Sequence, residues 1–163
     1  MLFRSIKNRS AGYGIDEKDW IAVAGGESGY IAPDPENPSV TYGGSYGGYL
    51  EKYNHENKQS DRVDVWPNNP MGSAAKNIKE RFQWTFPIYI SPHDPDVLYT
   101  TSQYVHRSTD EGMSWDRISS DLTRDEESKQ GKSGGPITHD DTSIEYYNTI
   151  FAFAESPVEQ GGL

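Results

Sequence analysis

The stretch Arg107–Trp115, RSTDEGMSW, decides between two very different interpretations of this chain. It holds a serine, an aspartate and a glutamate within four residues, as a hydrolase site could, and it also has the composition of a tight turn. Asp110 can accept backbone N–H groups across a turn, and Gly112 can take a positive φ. No histidine lies within the stretch to activate a serine nucleophile. We therefore predict a structural hairpin turn built on Ser108, Asp110, Gly112 and Trp115.

The composition around this stretch favours an all-β fold. The chain has 163 residues, long enough for one ordinary core, with 16 Gly, 10 Pro, 11 Tyr and 4 Trp. Many short strands joined by turns use residues in this way. The mean hydropathy of -0.84 is low for a globular chain. The aromatic residues nevertheless argue against disorder.

The charge balance excludes some function classes. Lys and Arg total 15 against 25 Asp and Glu, a net charge of -10 without a basic patch, so we expect no nucleic-acid partner. The apolar runs are too short to span a bilayer, and the N-terminus lacks the apolar segment of a signal peptide. Without cysteine there is no thiolate metal site. The histidines lack metal-ligand spacing, so we expect no metal and no cofactor: His55, His93, His106 and His139.

The chain repeats itself with the period of a propeller blade. Ile31–Tyr42 resembles Ile90–Tyr99, since both read as an apolar strand end, prolines with acidic residues, and a second strand opening at Tyr. Phe151–Pro157 starts a third copy. The anchor prolines are 59 and 65 residues apart, at Pro33, Pro92 and Pro157. Each unit holds about four short strands, the number in one blade.

A second landmark recurs in phase with the first. Ile15–Trp20 resembles a shorter, eroded copy of the stretch at Arg107–Trp115, and Tyr53–Ser60 lies at the equivalent place in the middle unit without the Asp, Gly and Trp. The alternative is a self-contained β-sandwich, which also uses short alternating strands. Landmarks that recur in phase favour tandem propeller blades.

The repeat predicts the strands. The first unit is predicted to contain Gly29–Ala32, Val40–Gly44, Gly48–Tyr53 and Arg62–Trp66, and the second Trp84–Ser91, Val97–Thr101, Tyr104–Ser108 and Ser114–Ser119. Lys18–Ala24 is predicted as the outer strand of a preceding blade and Glu145–Ala154 as the inner strand of a following one. Ser73–Glu80 is predicted as a short helix, and one helical turn is predicted from Thr123. Residues 1–14 show no convincing strand or helix start.

These elements divide the chain into an open series of blades. Residues 1–24 end a preceding blade, 25–72 form a blade, 73–123 hold the short helix and the blade with RSTDEGMSW, 124–142 form a loop and 143–163 start a following blade. The chain is thus predicted to be a fragment of about two and a half blades. Open blade faces favour association, so we expect self-association or a larger molecule that supplies the remaining blades.

The pattern Ser108-x-Asp110-x-Gly112-x-x-Trp115 matches the Asp-box, or BNR repeat, of sialidases, sortilin-type receptors and xyloglucanase-like glycoside hydrolases. Together with GGESGYIAPDPENP, RFQWTFPIYISPHDP and FAFAESP, it resembles a group of large bacterial BNR-repeat glycosyl hydrolases with sortilin-N-terminal-like sequences. The resemblance implies a β-propeller in which the Asp-box turn lies on the periphery. It also implies export to the periplasm or beyond.

Several residues are candidates for a ligand site near the inner strands. Glu27 precedes an inner strand and could be an acid/base or a sugar-binding carboxylate, and Glu145 precedes another. Asp140 and Asp141 could also bind a ligand, although loop acids are commonly only solvated. Glycoside hydrolysis needs two carboxylates roughly 5 to 10 Å apart, and the sequence does not show which two converge. The aromatics of the inner-strand edges could stack on sugars or fill the core: Tyr46, Tyr49, Trp84 and Phe86.

Two functions from different classes follow from these features. The chain is expected to be part of a BNR-repeat protein that acts on or binds polysaccharide. The alternative is a non-catalytic, sortilin-like propeller module that binds peptide or protein partners. The resemblance carries both hypotheses, since the repeats occur in enzymes and in receptors.

Overall fold

The computed structural model describes residues 4–6, 20–23, 26–27, 29–142 and 146–163. This part of the chain contains ten β-strands and three single-turn 3-10 helices, with no α-helix. The strands are β1 Arg4–Ile6, β2 Trp20–Ala22, β3 Ile31–Pro33, β4 Val40–Ser45, β5 Tyr49–Asn54, β6 Gln59–Arg62, β7 Ile88–Ile90, β8 Leu98–Thr101, β9 Val105–Ser108 and β10 Asp116–Arg117. The 3-10 helices are Tyr46–Gly48, Ala75–Asn77 and Glu127–Lys129.

The strands form antiparallel sheets in which neighbouring strands are consecutive in the chain. One sheet has the order β3-β4-β5-β6, the other the order β7-β8-β9-β10, and β1 pairs with β2 in a separate ribbon. The prediction of an all-β chain is confirmed. The first three predicted strands of each unit overlap the observed ones, and so does the fourth strand of the second unit.

The fourth strand of the first sheet begins earlier than predicted, at Gln59 rather than Arg62. The cause is the tight turn before it, in which Asn54 Oδ1 accepts the backbone N–H groups of Glu56 at 2.9 Å and Asn57 at 3.3 Å. An Asn side chain that bonds its own turn closes a short hairpin. The strand then resumes after four turn residues.

The predicted helix over Ser73–Glu80 is only the 3-10 turn Ala75–Asn77, because Ile78 is extended at φ -103° and ψ 133°. The turn predicted from Thr123 forms later, at Glu127–Lys129. Thr123 instead donates its N–H and its hydroxyl to Asp121 Oδ1, a local pairing that competes with a helix start.

The two ends of the chain also depart from prediction. Arg4–Ile6 forms a strand that pairs with β2, with Ile6 opposite Trp20. Conversely, no strand forms within residues 146–154. Residues 151–154 have no regular secondary structure and no strand partner in the described part of the chain.

The hydrophobic core lies between the two four-stranded sheets. Its buried members are Val40, Tyr42, Leu50 and Val63 from the first sheet and its following segment, and Phe82, Phe86, Ile88 and Leu98 from the second sheet and its preceding segment. Gly48 has φ +82°, and a Cβ there would lie 2.3 Å from the Phe82 ring. A side chain at this turn would therefore force the segment before β7 away from the first sheet.

The same capped turn follows β3 and β7 and recurs near the C-terminus. Asp34 Oδ1 accepts N–H groups from the residues two and three positions later, both at 2.9 Å. Ser91 Oγ does the same at 3.1 and 3.3 Å, and Ser156 Oγ at 3.3 and 3.2 Å. A proline follows each capping residue: Pro35, Pro92 and Pro157. The first anchor of the repeat is therefore Pro35, and the assignment of Pro33 is wrong because Pro33 belongs to β3.

Candidate functional site

The stretch Arg107–Trp115 contains the hairpin turn between β9 and β10. Ser108 Oγ donates to Asp110 Oδ1 at 2.8 Å and accepts the Gly112 N–H at 2.9 Å. Asp110 accepts the Ser114 backbone N–H at 2.8 Å and its hydroxyl at 2.6 Å. Ser114, through its hydroxyl and then its N–H, holds the pKa of Asp110 below its ordinary value, with a further contribution from Ser108. Every polar group that could have acted as nucleophile or helper is thus engaged within the turn.

The same turn joins the second sheet to the first. Trp115 Nε1 donates to the Val63 carbonyl at 3.0 Å, and Glu111 forms an ion pair with Lys52 of β5. Gly112 has φ +88°, and a Cβ there would lie 2.9 Å from Val63 Cβ. The sequence predicted the hairpin turn that includes Trp115. The contact across to the neighbouring sheet has no local signal, because its partners lie some fifty residues earlier.

Some of the ligand-site candidates lie at one end of the two sheets, here called the turn face. It consists of the turns Tyr46–Gly48 and Ser102–Tyr104 and of two segments, 26–27 with 29–30 leading into β3 and 79–87 leading into β7. Both turns meet the second of these segments, because Gly48 lies against Phe82 and Gln103 Oε1 accepts the Arg81 N–H at 2.8 Å.

Three of the predicted site residues lie on the turn face. The exposed Glu27 donates its backbone N–H to Ser45 Oγ at 3.3 Å, which places it beside the turn of Tyr46. Tyr46 is half-buried and meets Tyr49 edge-on, with ring centroids 6.0 Å apart. Trp84 is also half-buried, and its buried Nε1 has no hydrogen-bond partner in the described part of the chain.

The other two aromatic candidates, Phe86 and Tyr49, contact other side chains of the protein. Phe86 is buried in the core with its ring centroid 5.1 Å from that of Phe82, so of its two predicted alternatives the structure shows core packing. The Arg62 guanidinium lies 4.5 Å from the centroid of the Tyr49 ring. That face of Tyr49 is therefore covered by a side chain of the protein.

The acidic pair Asp140 and Asp141 lies in the loop before residue 143, and Glu145 lies outside the described residues. Asp141 is 3.5 Å from Lys132 Nζ and accepts the Ser133 N–H at 3.2 Å. Its backbone carbonyl accepts the Gly72 N–H at 2.6 Å, which fixes the loop to the segment after the first sheet. Asp140 is exposed. The structure thus gives Asp141 a loop-anchoring role and leaves Asp140 open to solvent.

The interior of the turn face contains a buried polar cluster that the sequence analysis did not predict. Ser102 Oγ donates to Glu80 Oε2 at 2.8 Å, and His106 Nε2 lies 3.0 Å from the same Oγ and 3.3 Å from Oε2. Burial alone would raise the pKa of Glu80, but hydrogen bonds from His106 and Ser102 hold it below its ordinary value.

The cluster superficially resembles a Ser-His-acid triad. In a working triad the acid holds one ring nitrogen of the histidine and the serine the other, and the serine is open to substrate. Here Glu80 and Ser102 meet the same nitrogen, and Ser102 is 0% exposed. The arrangement supports the β8–β9 turn and presents no nucleophile to solvent.

Arg81 extends this cluster toward the loops that follow the second sheet. Its guanidinium donates to Asp121 at 2.7 Å, to Asp125 at 3.2 Å and to the Asn148 carbonyl at 3.2 Å. Burial would raise the pKa of Asp121, but hydrogen bonds from Thr123 and then Arg81 lower it. One buried cation of the turn face therefore holds two separate loop segments, one at Asp121–Asp125 and one at Asn148.

Among the described residues, no three His, Asp or Glu side chains converge in a way that could hold a metal ion. No helix in the described ranges combines the length and apolar character needed to cross a membrane. Comparison with known proteins finds no matching family model and no matching curated protein.

Proposed function

We propose that the two four-stranded sheets are consecutive blades of an Asp-box β-propeller, and that the turn face of this propeller binds polysaccharide. The observation that carries the proposal is the turn Ser108–Trp115. Its Ser, Asp, Gly and Trp occupy the hairpin between the outer two strands of the second sheet. Its hydrogen bond from Trp115 to Val63 and its ion pair from Glu111 to Lys52 also join one sheet to the next.

The strand order supports a propeller over the alternative of a β-sandwich. Each sheet contains four strands that are consecutive in the chain and adjacent in space. Greek-key sandwiches instead send a strand across to the opposite sheet. Two meanders of the same order, stacked face to face around one core, fit successive blades.

The ligand class comes from the resemblance to BNR-repeat glycosyl hydrolases, which also implies a protein exported to the periplasm or beyond. The turn face offers groups suited to a sugar. A half-buried ring such as Tyr46 or Trp84 can pack on the apolar face of a pyranose, and a carboxylate such as Glu27 can accept its hydroxyl hydrogens.

Binding is the part of this function that the geometry supports best. Hydrolysis needs a general acid and a second carboxylate on opposite sides of the scissile bond. Glu80 is buried against Ser102 and His106, and Asp141 is held by Lys132 and Ser133. A catalytic role remains a proposal for Glu27 and for Glu145, which lies outside the described residues.

The test is the affinity of the chain for a panel of soluble polysaccharides, including xyloglucan and a sialylated glycan. Tyr46→Ala and Trp84→Phe should weaken binding about tenfold, a loss of about 1.4 kcal/mol. The matched control is Tyr53→Ala, which removes a half-buried tyrosine at the other end of β5 and should leave the affinity unchanged.

An equal loss of affinity in all three variants would contradict the proposal. So would a chain that binds none of the polysaccharides in the panel. Binding of a peptide library without any glycan would support the sortilin-like alternative. Glu27→Gln separates hydrolysis from binding, because a catalytic Glu27 would lose sugar release while its affinity persisted.

A further inference from the structure

Most basic side chains of this acidic protein are paired with carboxylates. The net charge is -10, and ion pairs join, for example, Lys52 to Glu111. Among the side chains that the structure describes, the lysines and arginines without an ion pair are Lys58, Lys76, Lys79 and Arg117. Acids outnumber bases in this chain, so a cation that none of them neutralises can pair with an anion from outside.

Lys79 is an exposed lysine of the turn face, and an aromatic ring holds its ammonium group. Nζ lies 3.1 Å from the centroid of the Trp66 ring, which is 41% exposed. The attraction between a cation and a ring face restrains the ammonium without using its hydrogens as an oxygen acceptor would. An ammonium group has three N–H donors, and none of these bonds to an acceptor of the described residues.

Arg117 is held in the same way at the neighbouring turn. It lies on β10, which runs toward the turn face, and its Cζ is 4.5 Å from the centroid of the Tyr104 ring. Tyr104 ends the turn between β8 and β9 and is half-buried. A guanidinium that lies over a ring keeps the N–H groups at its edge free. In the described part of the chain these N–H groups have no hydrogen-bond acceptor.

Gln103 joins these two cation–aromatic pairs. Its Nε2 donates to the Lys79 carbonyl at 3.0 Å, and it directly precedes Tyr104 in the chain. Gln103 is only 2% exposed, so its position is fixed by the packing around it. The two unpaired cations therefore belong to one part of the turn face, in and beside the segment that contains Trp84.

The other two unpaired lysines have different surroundings. Lys76 lines a cavity together with Asp125 and Glu127, so acidic side chains balance its charge there. Lys58 is exposed in the turn between β5 and β6, at the end of the first sheet opposite the turn face. Lys79 and Arg117 are therefore the pair suited to an anion on the turn face, and Lys58 serves as their control.

We propose that the polysaccharide of the turn face is anionic, and that its carboxylate or sulfate groups accept hydrogen bonds from Lys79 and Arg117. This inference rests on the proposed function and narrows its substrate class. Hydrogen bonds from a charged donor to a charged acceptor are about twice as strong as those between neutral groups. Nearby acids do not compete, because Glu80 is buried against Ser102 and His106.

The experiment measures the affinity of the chain for two matched pairs of polysaccharides by calorimetry at low salt. Polygalacturonate is compared with its methyl-esterified, neutral form, and dextran sulfate with dextran. At least one charged member should bind about tenfold more tightly than its neutral partner, and which one does so distinguishes a carboxylate from a sulfate ligand. If neither does, the inference is overturned, while binding of any neutral polysaccharide still supports the proposed function. A chain that binds no polysaccharide overturns both.

Charge-removing variants locate the site. Lys79→Gln and Arg117→Gln should each weaken binding of the charged polysaccharide about tenfold and leave the affinity for its neutral partner unchanged. Lys58→Gln removes an equally unpaired charge from the opposite end and should leave both affinities unchanged. A loss as large in Lys58→Gln would show a general effect of charge and overturn the assignment. Binding of poly-L-glutamate in place of either charged polysaccharide would also overturn it, in favour of an acidic protein partner.

Discussion

At the scale of single residues, Gly112 connects the conformation of the turn to the docking of the sheets. Its φ of +88° is disfavoured for any residue with a Cβ, and a Cβ would also overlap Val63. We predict that Gly112→Ala lowers the free energy of unfolding by about 1–3 kcal/mol. The control is Gly131→Ala, where no neighbour lies within 4 Å of the added carbon. Similar denaturation midpoints for the two variants would contradict the prediction.

Trp115 makes the hydrogen bond that crosses from one sheet to the other. Trp115→Phe keeps an aromatic ring but removes Nε1, leaving the Val63 carbonyl without this donor. The expected loss is about 1 kcal/mol in the free energy of unfolding. Trp66→Phe provides the comparison, since Trp66 is exposed and contacts Lys79 at the protein surface. If Trp66→Phe lowered the free energy of unfolding by as much, the loss in Trp115→Phe would reflect general aromatic packing and not its hydrogen bond.

At the scale of elements, the capped turn after the first strand stabilises each sheet at the same place. Ser91→Ala removes the acceptor of two backbone N–H groups, those of His93 and Asp94. We expect a loss of about 0.5–2 kcal/mol, as at other caps of this chemistry. Ser120→Ala, at an exposed serine, should change stability by less than about 0.5 kcal/mol. Thermal unfolding of the two variants side by side measures the difference.

The elements also show how far sequence reasoning reaches. Local chemistry predicted β4, β5, β8 and β9, because alternating side chains and turn residues mark strands of this kind. It placed β6 too late, since the Asn54 cap that closes the preceding turn was not recognised. It also mistook the segment at Ser73 for a helix, where the Lys76 N–H bonds to the distant Gln130 carbonyl.

Residues of the site could be predicted only where a nearby sequence pattern indicated their position. Glu27 and Tyr46 could be placed near inner-strand ends from the repeat, and they do lie on one face. The cluster of Glu80, Ser102 and His106 could not be predicted, because its members are separated in the chain and belong to no common motif. Three-dimensional contact alone brings them together.

At the scale of the whole molecule, the buried cluster of Glu80, Ser102 and His106 makes the free energy of unfolding depend on pH. The folded-state pKa of Glu80 is lowered, so its ionised form contributes stability above the ordinary glutamate range. That contribution is lost as the pH falls through the folded-state pKa. Between about pH 6 and pH 3, the free energy of unfolding should therefore fall more steeply for the native chain than for Glu80→Gln. Parallel pH profiles in urea denaturation would contradict this assignment.

The central claim, a polysaccharide site on the turn face, is tested most directly by NMR titration of the chain with soluble polysaccharide. The four tryptophans each carry one indole N–H, and only Trp84 among them belongs to the turn face as defined above. We predict that a binding glycan shifts the Trp84 indole signal and the amides of Glu27 and Tyr46, while Trp115 is unaffected. A glycan that binds and shifts Trp115 instead, or a panel in which no glycan shifts Trp84, would contradict the claim.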